Sequence, residues 1–160
     1  MRILGLALLL VAASPALAQS SLKGHDSDAP VDVGAERIEV QDRADRAIFS
    51  GNVVVRQGGL TLTASRLTVA YAQSGGIEIK RIDASGGVTV TSPAERARGQ
   101  FAIYDLDRRI ITMIGNVSLD RGASRVNGNR LVIDLDTGRA VMDGGGTGGR
   151  VSGRFTVPKR

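Results

Sequence analysis

The sequence predicts an all-β protein made of repeated antiparallel hairpins. Hydrophobic residues make up 42% of its 160 residues and aromatic residues only 3%, so aliphatic side chains must fill the interior. These residues alternate with polar ones, which is the pattern of strands that bury one face. The 21 glycines and 4 prolines lie between such runs and mark turns. A short glycine motif also recurs along the chain, and this indicates a repetitive β-architecture.

The clearest hairpin runs from Phe49 to Tyr71. Two β-rich runs, Asn52–Arg56 and Leu60–Tyr71, flank a turn at 57–59. Strand side chains alternate, so one face of the sheet is expected to carry Val53, Val55, Leu60, Leu62, Leu67, Val69 and Tyr71, and Val54 is expected on the other. Arg56 and Thr68 are expected on the opposite face, which is mostly polar.

The glycine motif of this hairpin occurs three times. Ser50–Val53 recurs at 85–88 and again at 114–117. A small residue lies thirteen positions after each lead glycine and opens another β-run; these residues are Ala64, Gly99 and Gly128. A fourth, shortened copy begins at Gly144. The motif glycines are interpreted as boundaries between short strands, and the segment Ser92–Ala97 as a loop.

The chain divides into three segments. Residues 1–18 have the charged start, apolar run and small-residue cleavage site of a signal peptide. Residues 19–29 are polar and are expected to form a flexible leader, in which the only histidine, His25, is solvated. Residues 30–158 form one β-domain, with candidate edge strands at Val31–Val33 and Val151–Val157. The sequence has no cysteine, so neither a disulfide nor a lipid anchor is expected.

The charge pattern leaves two interpretations open. The formal net charge is +5, and arginine supplies nearly all of the basic residues. Arginines bind phosphate and carboxylate through two parallel hydrogen bonds, but their number can also reflect composition alone. A nucleic-acid partner is not expected, because the basic residues form no cluster and aromatic residues are few.

No enzyme, metal site or cofactor is predicted. Gly144, Gly146 and Gly149 match the spacing of a dinucleotide-binding loop, but no helix follows to face a pyrophosphate. Asp134 and Asp136 match half of a calcium loop that lacks its later acidic ligand. No motif for a serine or cysteine nucleophile is present.

Several motifs in order resemble the OstA-like family. They are AERIEV (35–40), FSGNVVVRQG (49–58), ASRLTV (64–69), IGNVSL (114–119) and GNRLVI (128–133). The resemblance implies a V-shaped antiparallel β-jellyroll, open at both ends, in the periplasm. It implies a protein that carries lipopolysaccharide from the inner to the outer membrane, with the acyl chains inside and protomers stacked end to end. Its partners would be inner-membrane-anchored and outer-membrane transport components, reached through edge strands.

The resemblance and the alternation together yield a predicted lumen that contacts lipid. Its residues are Val31, Val33, Val40, Phe49, Val53, Val55, Leu62, Leu67, Val69, Tyr104, Met113, Leu131 and Ile133. The alternative is a structural β-repeat scaffold of the cell envelope whose core is filled and binds no lipid. A continuous apolar groove between the two ends would distinguish the lipid carrier from the scaffold.

Overall fold

The structure is a computed structural model that describes residues 25–145 and 149–157. The predicted signal peptide at 1–18 lies outside these residues, as do residues 19–24 of the expected leader. The described residues form ten strands in one sheet and a short 3₁₀ helix. The strands are β1 (Asp32–Gly34), β2 (Arg37–Gln41), β3 (Arg46–Gln57), β4 (Leu60–Gln73), β5 (Ile77–Thr91), β6 (Glu95–Asp105), β7 (Ile110–Arg121), β8 (Ser124–Asp134), β9 (Ala140–Asp143) and β10 (Ser152–Arg154); the 3₁₀ helix is Asp42–Ala44.

The sheet is an antiparallel meander with two short strands at each side. Strands β3 to β8 are 11 to 15 residues long and pair in chain order. β1 and β2 share β3, pairing with its second and first part respectively. β9 and β10 share β8 in the same way. The sheet therefore does not close, and its short outer strands leave edges open to a further strand.

The repeated glycine motif bends the long strands and does not end them, so the predicted strand boundaries at these glycines are wrong. Gly51 and Asn52 have φ angles of 79° and 44°, and the pairing with β4 shifts register between Ser50 and Val53. Gly86 and Gly115 have similar φ angles and lie at similar register shifts. Each motif is therefore a β-bulge that changes the strand direction.

The thirteen-residue spacing between each lead glycine and the small residue is explained by how the two strands of each hairpin pair. Each small residue lies directly opposite the valine of its motif, in the pairs Val53–Ala64, Val88–Gly99 and Val117–Gly128. A Cβ atom on Gly128 would lie 2.6 Å from Met142 Cγ and 2.8 Å from the Asp143 carbonyl oxygen. Backbone and side chain thus occupy the space that a larger residue would need. The expected loop at 92–97 is also partly wrong, because β6 begins at Glu95.

The row of bulges divides the sheet into two halves. The first half contains β1, β10 and the parts of β3 to β8 that pair beside them, and the second half contains β2, β9 and the remaining parts. The side chains of Leu67, Met113 and Leu131 lie in the second half and are fully buried, although they belong to one face of one sheet. The hydroxyl of Tyr104, in the second half, donates a hydrogen bond of 2.8 Å to Gln57 Oε1 in the first. The halves therefore face each other and enclose the core.

Candidate functional site

The interior is a continuous apolar surface that crosses the whole sheet. Residues directly opposite each other on paired strands share a face, so rows of side chains can be followed from edge to edge. One row of the second half is Ile38, Phe49, Leu67, Ala84, Ala102, Met113, Leu131 and Met142. The next row is Val40, Ala47, Val69, Ile82, Tyr104, Ile111, Ile133 and Ala140. In the first half the row is Val33, Val55, Leu62, Val90, Ala97, Leu119, Val126 and Gly153.

Most of the predicted lumen residues lie on this surface and are buried. The buried ones are Val53, Val55, Leu62, Leu67, Val69, Tyr104, Met113, Leu131 and Ile133. Val31, Val33 and Phe49 are partly buried and pack against the core. Val40 lies on the inner face as predicted but, unlike the others, is 63% exposed. It lies on the outer strand β2, and the described residues place no further strand beyond it.

Sequence reasoning missed several residues of the same surface. Ile82, Val88, Ile111 and Val117 are at most 1% exposed and belong to the core cluster. They alternate with polar neighbours as the predicted residues do, so the same signal was present in β5 and β7.

The two inner faces fill the interior between them. A cavity between them, lined by Val90, Ser92, Glu95, Ala97, Leu119 and Ile133, measures about 10 Å³. This is about the space that one water molecule needs, and far less than an acyl chain occupies. The core residues of the described part of the chain therefore form one packed cluster in this structure.

Polar side chains join the two halves where their hairpin ends meet. We call this line the seam; its residues include Gln57, Tyr104 and Arg109. The side chain of Gln57 is buried there, and its amide donates hydrogen bonds to the carbonyls of Ser27 (2.9 Å) and Ala29 (3.0 Å). His25 Nε2 lies 3.1 Å from Gln57 Oε1, the oxygen that also accepts the Tyr104 hydroxyl. The expectation of a solvated His25 is therefore wrong, since its ring is half-buried and hydrogen-bonded.

Arg109 lies at the same seam, in the turn between β6 and β7. Its guanidinium binds the carboxylates of Asp28 at 3.0 Å and Asp136 at 3.2 Å. The hydrogen bond that Arg109 donates to Asp136 and the charge of Asp28 raise the pKa of Arg109, so it stays charged. Burial raises the pKa of the Tyr104 hydroxyl, which therefore stays a hydrogen-bond donor at neutral pH. Neither Gln57 nor Arg109 was predicted as a site residue.

Both sides of the sheet expose apolar residues. Ile38 and Val40 on β2 are 55% and 63% exposed at one side. Val151, Phe155 and Val157 are exposed beside β10 at the other. The segments Val31–Val33 and Val151–Val157 were predicted as edges. The outer strand β1 overlaps the first range and β10 lies within the second; β2 and β9 are additional edges. The described part of the chain has no helix of the length and hydropathy that a bilayer crossing requires.

Comparison with known proteins identifies the family. A family model described as "LptA/(LptD N-terminal domain) LPS transport protein" matches residues 32–139, which include β1 to β8. The chain belongs to this family. The resemblance to OstA-like proteins is therefore confirmed.

Relatives in sequence differ in how much of their length the chain spans. A protein of Rhizobium meliloti without an assigned function is 35% identical over 92% of this chain and 83% of its own length. The LPS-assembly protein LptD of Yersinia enterocolitica is 27% identical over 76% of this chain, which spans only 15% of LptD. The lipopolysaccharide export system protein LptH of Pseudomonas aeruginosa is 28% identical over 79% of this chain and 75% of LptH.

The crystal structure of LptH has the same fold. It is described as the LptA-homologous periplasmic component of the lipopolysaccharide transport device of Pseudomonas aeruginosa. Its chain superimposes with a TM-score of 0.74 at 17% identity, over 83% of this chain and 99% of LptH. The β-jellyroll architecture is confirmed by this match and by the unclosed antiparallel sheet.

Proposed function

We propose that this protein binds lipopolysaccharide in the periplasm and carries it from the inner to the outer membrane, with the acyl chains between the two halves of the jellyroll. The observation that carries this proposal is the unbroken apolar inner face, which runs from β2 to β9 across the whole sheet. Membership of a family of lipopolysaccharide transport proteins supports it. Two relatives, LptH and LptA, are named lipopolysaccharide export system proteins, which also supports the proposal.

The physical chemistry of the inner face suits acyl chains. Burial of apolar surface stabilises a complex by about 25 cal/mol per Å² before the costs of binding, and it needs no particular orientation. Side chains that now contact the opposite half would contact acyl chains instead, so one apolar contact replaces another. The cost of opening therefore lies mainly in moving the halves apart and in the polar contacts at the seam.

Two phenylalanines allow a matched test by photo-crosslinking. Phe49 lies on the inner face, partly buried, while Phe101 is on the outer face and 51% exposed. Each is replaced in turn by a photoreactive phenylalanine analogue, and the protein is irradiated with lipopolysaccharide. The position of Phe49 should crosslink to the glycolipid and that of Phe101 should not. Labelling only at Phe101 would show that lipid binds the outer face and would refute the proposal.

A structural scaffold without lipid is the second candidate function. The packed interior favours it, because the core residues of both halves form one buried cluster and the cavity between the inner faces measures only about 10 Å³. Lack of crosslinking at both phenylalanines, together with no glycolipid co-purifying from the periplasm by mass spectrometry, would support the scaffold.

We further propose that protomers stack end to end through their outer strands and dock in the same way on inner-membrane-anchored and outer-membrane components. The support is the set of short edge strands with exposed apolar side chains at both sides of the sheet. Val40→Asp places a charge on the exposed edge and should reduce self-association in ultracentrifugation. Thr63→Asp is the control, because Thr63 is exposed but lies on β4, which is paired on both sides. Equal self-association of both variants and the unaltered protein would contradict the edge as the contact.

A further inference from the structure

Residues 25–29, which we call the strap, connect the two halves across the seam. The carbonyls of Ser27 and Ala29 accept hydrogen bonds from Gln57, at the end of β3 in the first half. The carboxylate of Asp28 binds Arg109, which belongs to a hairpin turn of the second half. The strap thus lies outside the sheet yet makes directional contacts with both halves.

We propose that the strap holds the seam closed, and that Arg109 beneath it is an anion site that a charged group of the cargo takes over from Asp28. This inference rests on the proposed function, because it names the part of the lipopolysaccharide headgroup that opens the jellyroll. The chemical class of the ligand is an amphiphile that carries phosphate beside its acyl chains.

The contact between Asp28 and Arg109 is suited to exchange. The side chain of Asp28 is 83% exposed and that of Arg109 38%, so the pair is screened by solvent and weak. Asp136 belongs to the turn after β8 and binds the other end of the guanidinium, so Arg109 stays oriented when Asp28 leaves. A phosphate offers more charge and more acceptor oxygens than a carboxylate and pairs well with guanidinium.

The surroundings of Arg109 join polar and apolar groups. A cleft of about 470 Å³ at this site is lined by Ser27, Asp28, Glu78, Ile79, Leu106, Asp107, Arg109 and Asp136. Ile79 and Leu106 pack against the core, so the cleft leads from Arg109 towards the apolar interior. Glu78 and Asp107 would repel an anion, but Lys80 binds both of them at 3.0 Å and 3.3 Å. A headgroup phosphate at Arg109 would thus leave its acyl chains beside the core.

A single introduced thiol can report whether the strap leaves. The chain has no cysteine, so Ser27→Cys provides a unique reactive group. The Ser27 hydroxyl oxygen is buried, so a thiol at this position is shielded while the strap stays in place. The rate of maleimide labelling at position 27 is measured in the mature protein with and without lipopolysaccharide. Ser74→Cys, in the exposed turn between β4 and β5, is the control thiol.

Two matched charge changes test, without lipid, whether the contact between Asp28 and Arg109 holds the strap in place. Asp28→Asn removes the strap carboxylate that binds Arg109. Asp107→Asn removes another carboxylate of the same cleft, the one that binds Lys80. Asp28→Asn should speed labelling at position 27 by about two- to fivefold, the range expected when a partly exposed ion pair is lost. Asp107→Asn should leave the rate unchanged. Equal rates for both variants would overturn the role of Asp28.

Lipid is then added in its phosphorylated and its dephosphorylated form. Phosphorylated glycolipid should speed labelling at position 27 and not at position 74, and its dephosphorylated form should act more weakly. Inorganic phosphate alone should have little effect, because it brings no acyl chain to the core. If glycolipid crosslinks at Phe49 while position 27 stays protected, the strap is not displaced and this inference fails although the proposed function holds. If glycolipid does not crosslink at all, both fail.

Discussion

Replacement of Leu67 by alanine tests whether the closed interior is a true packed core. Leu67 is fully buried in its inner row, so a shorter side chain would leave a cavity in the core. Leucine-to-alanine changes at such sites lower the free energy of unfolding by about 2–5 kcal/mol. For a chain of this size we expect the melting temperature to fall by roughly 5–20 °C.

Ile38→Ala is the matched control, because Ile38 lies in the same row of the same face. Its side chain is 55% exposed on the outer strand β2, so its truncation should cost less than about 1 kcal/mol. Urea unfolding followed by circular dichroism measures both variants. If Leu67→Ala is as mild as Ile38→Ala, the inner faces do not pack as described.

Three further predictions follow from the fold. Gly128→Ala should lower the free energy of unfolding by about 1–3 kcal/mol, because its Cβ would lie 2.8 Å from a backbone oxygen; Gly34→Ala, with open space around it, should be near neutral in the same urea titration. Gly153→Pro should disrupt the pairing of β10 with β8 and reduce self-association in ultracentrifugation, while circular dichroism stays unchanged. Burial raises the pKa of Tyr104, so the fold favours its neutral form and stability should fall as pH rises above about 10. The loss of stability at high pH should be smaller in Tyr104→Phe. An equal loss in both proteins would contradict the contribution of Tyr104.

Alternation in the sequence was sufficient for the faces of each part of a long strand, but not across the register shifts or at the strand ends. The Gly51-Asn52 motif indicates a turn as readily as a bulge, because both require positive φ angles. Only the partner strand distinguishes them, and it is distant in sequence. Leu62 and Leu67 lie an odd number of residues apart, yet both face inward, because the pairing of β4 with β5 shifts register between Thr63 and Arg66.

At the predicted site, too, local alternation indicates the face on which a residue lies, but exposure and contacts depend on residues that are distant in sequence. Val40 was placed on the inner face by alternation, but its exposure depends on what lies beyond β2. Gln57 continues the inward series of Val53 and Val55, so a polar residue at an inner position was a signal that could have been used. The contact between Arg109 and Asp28 joins residues 81 positions apart, and neither has a local pattern that indicates it.

The interior and the seam contribute differently to opening. Aliphatic contacts in the core are non-directional, so an acyl chain can replace a side chain of the opposite half at little net cost. The hydrogen bonds of Gln57 require one arrangement of both halves and the strap, and they are lost when the halves separate. A buried amide left without partners costs about 1–3 kcal/mol. In the proposed lipid carrier, the seam would therefore set the barrier to opening, and the length of the apolar rows would set how much acyl surface is bound. Changes at the seam should alter the rate at which lipid enters, and changes in the rows should alter its affinity.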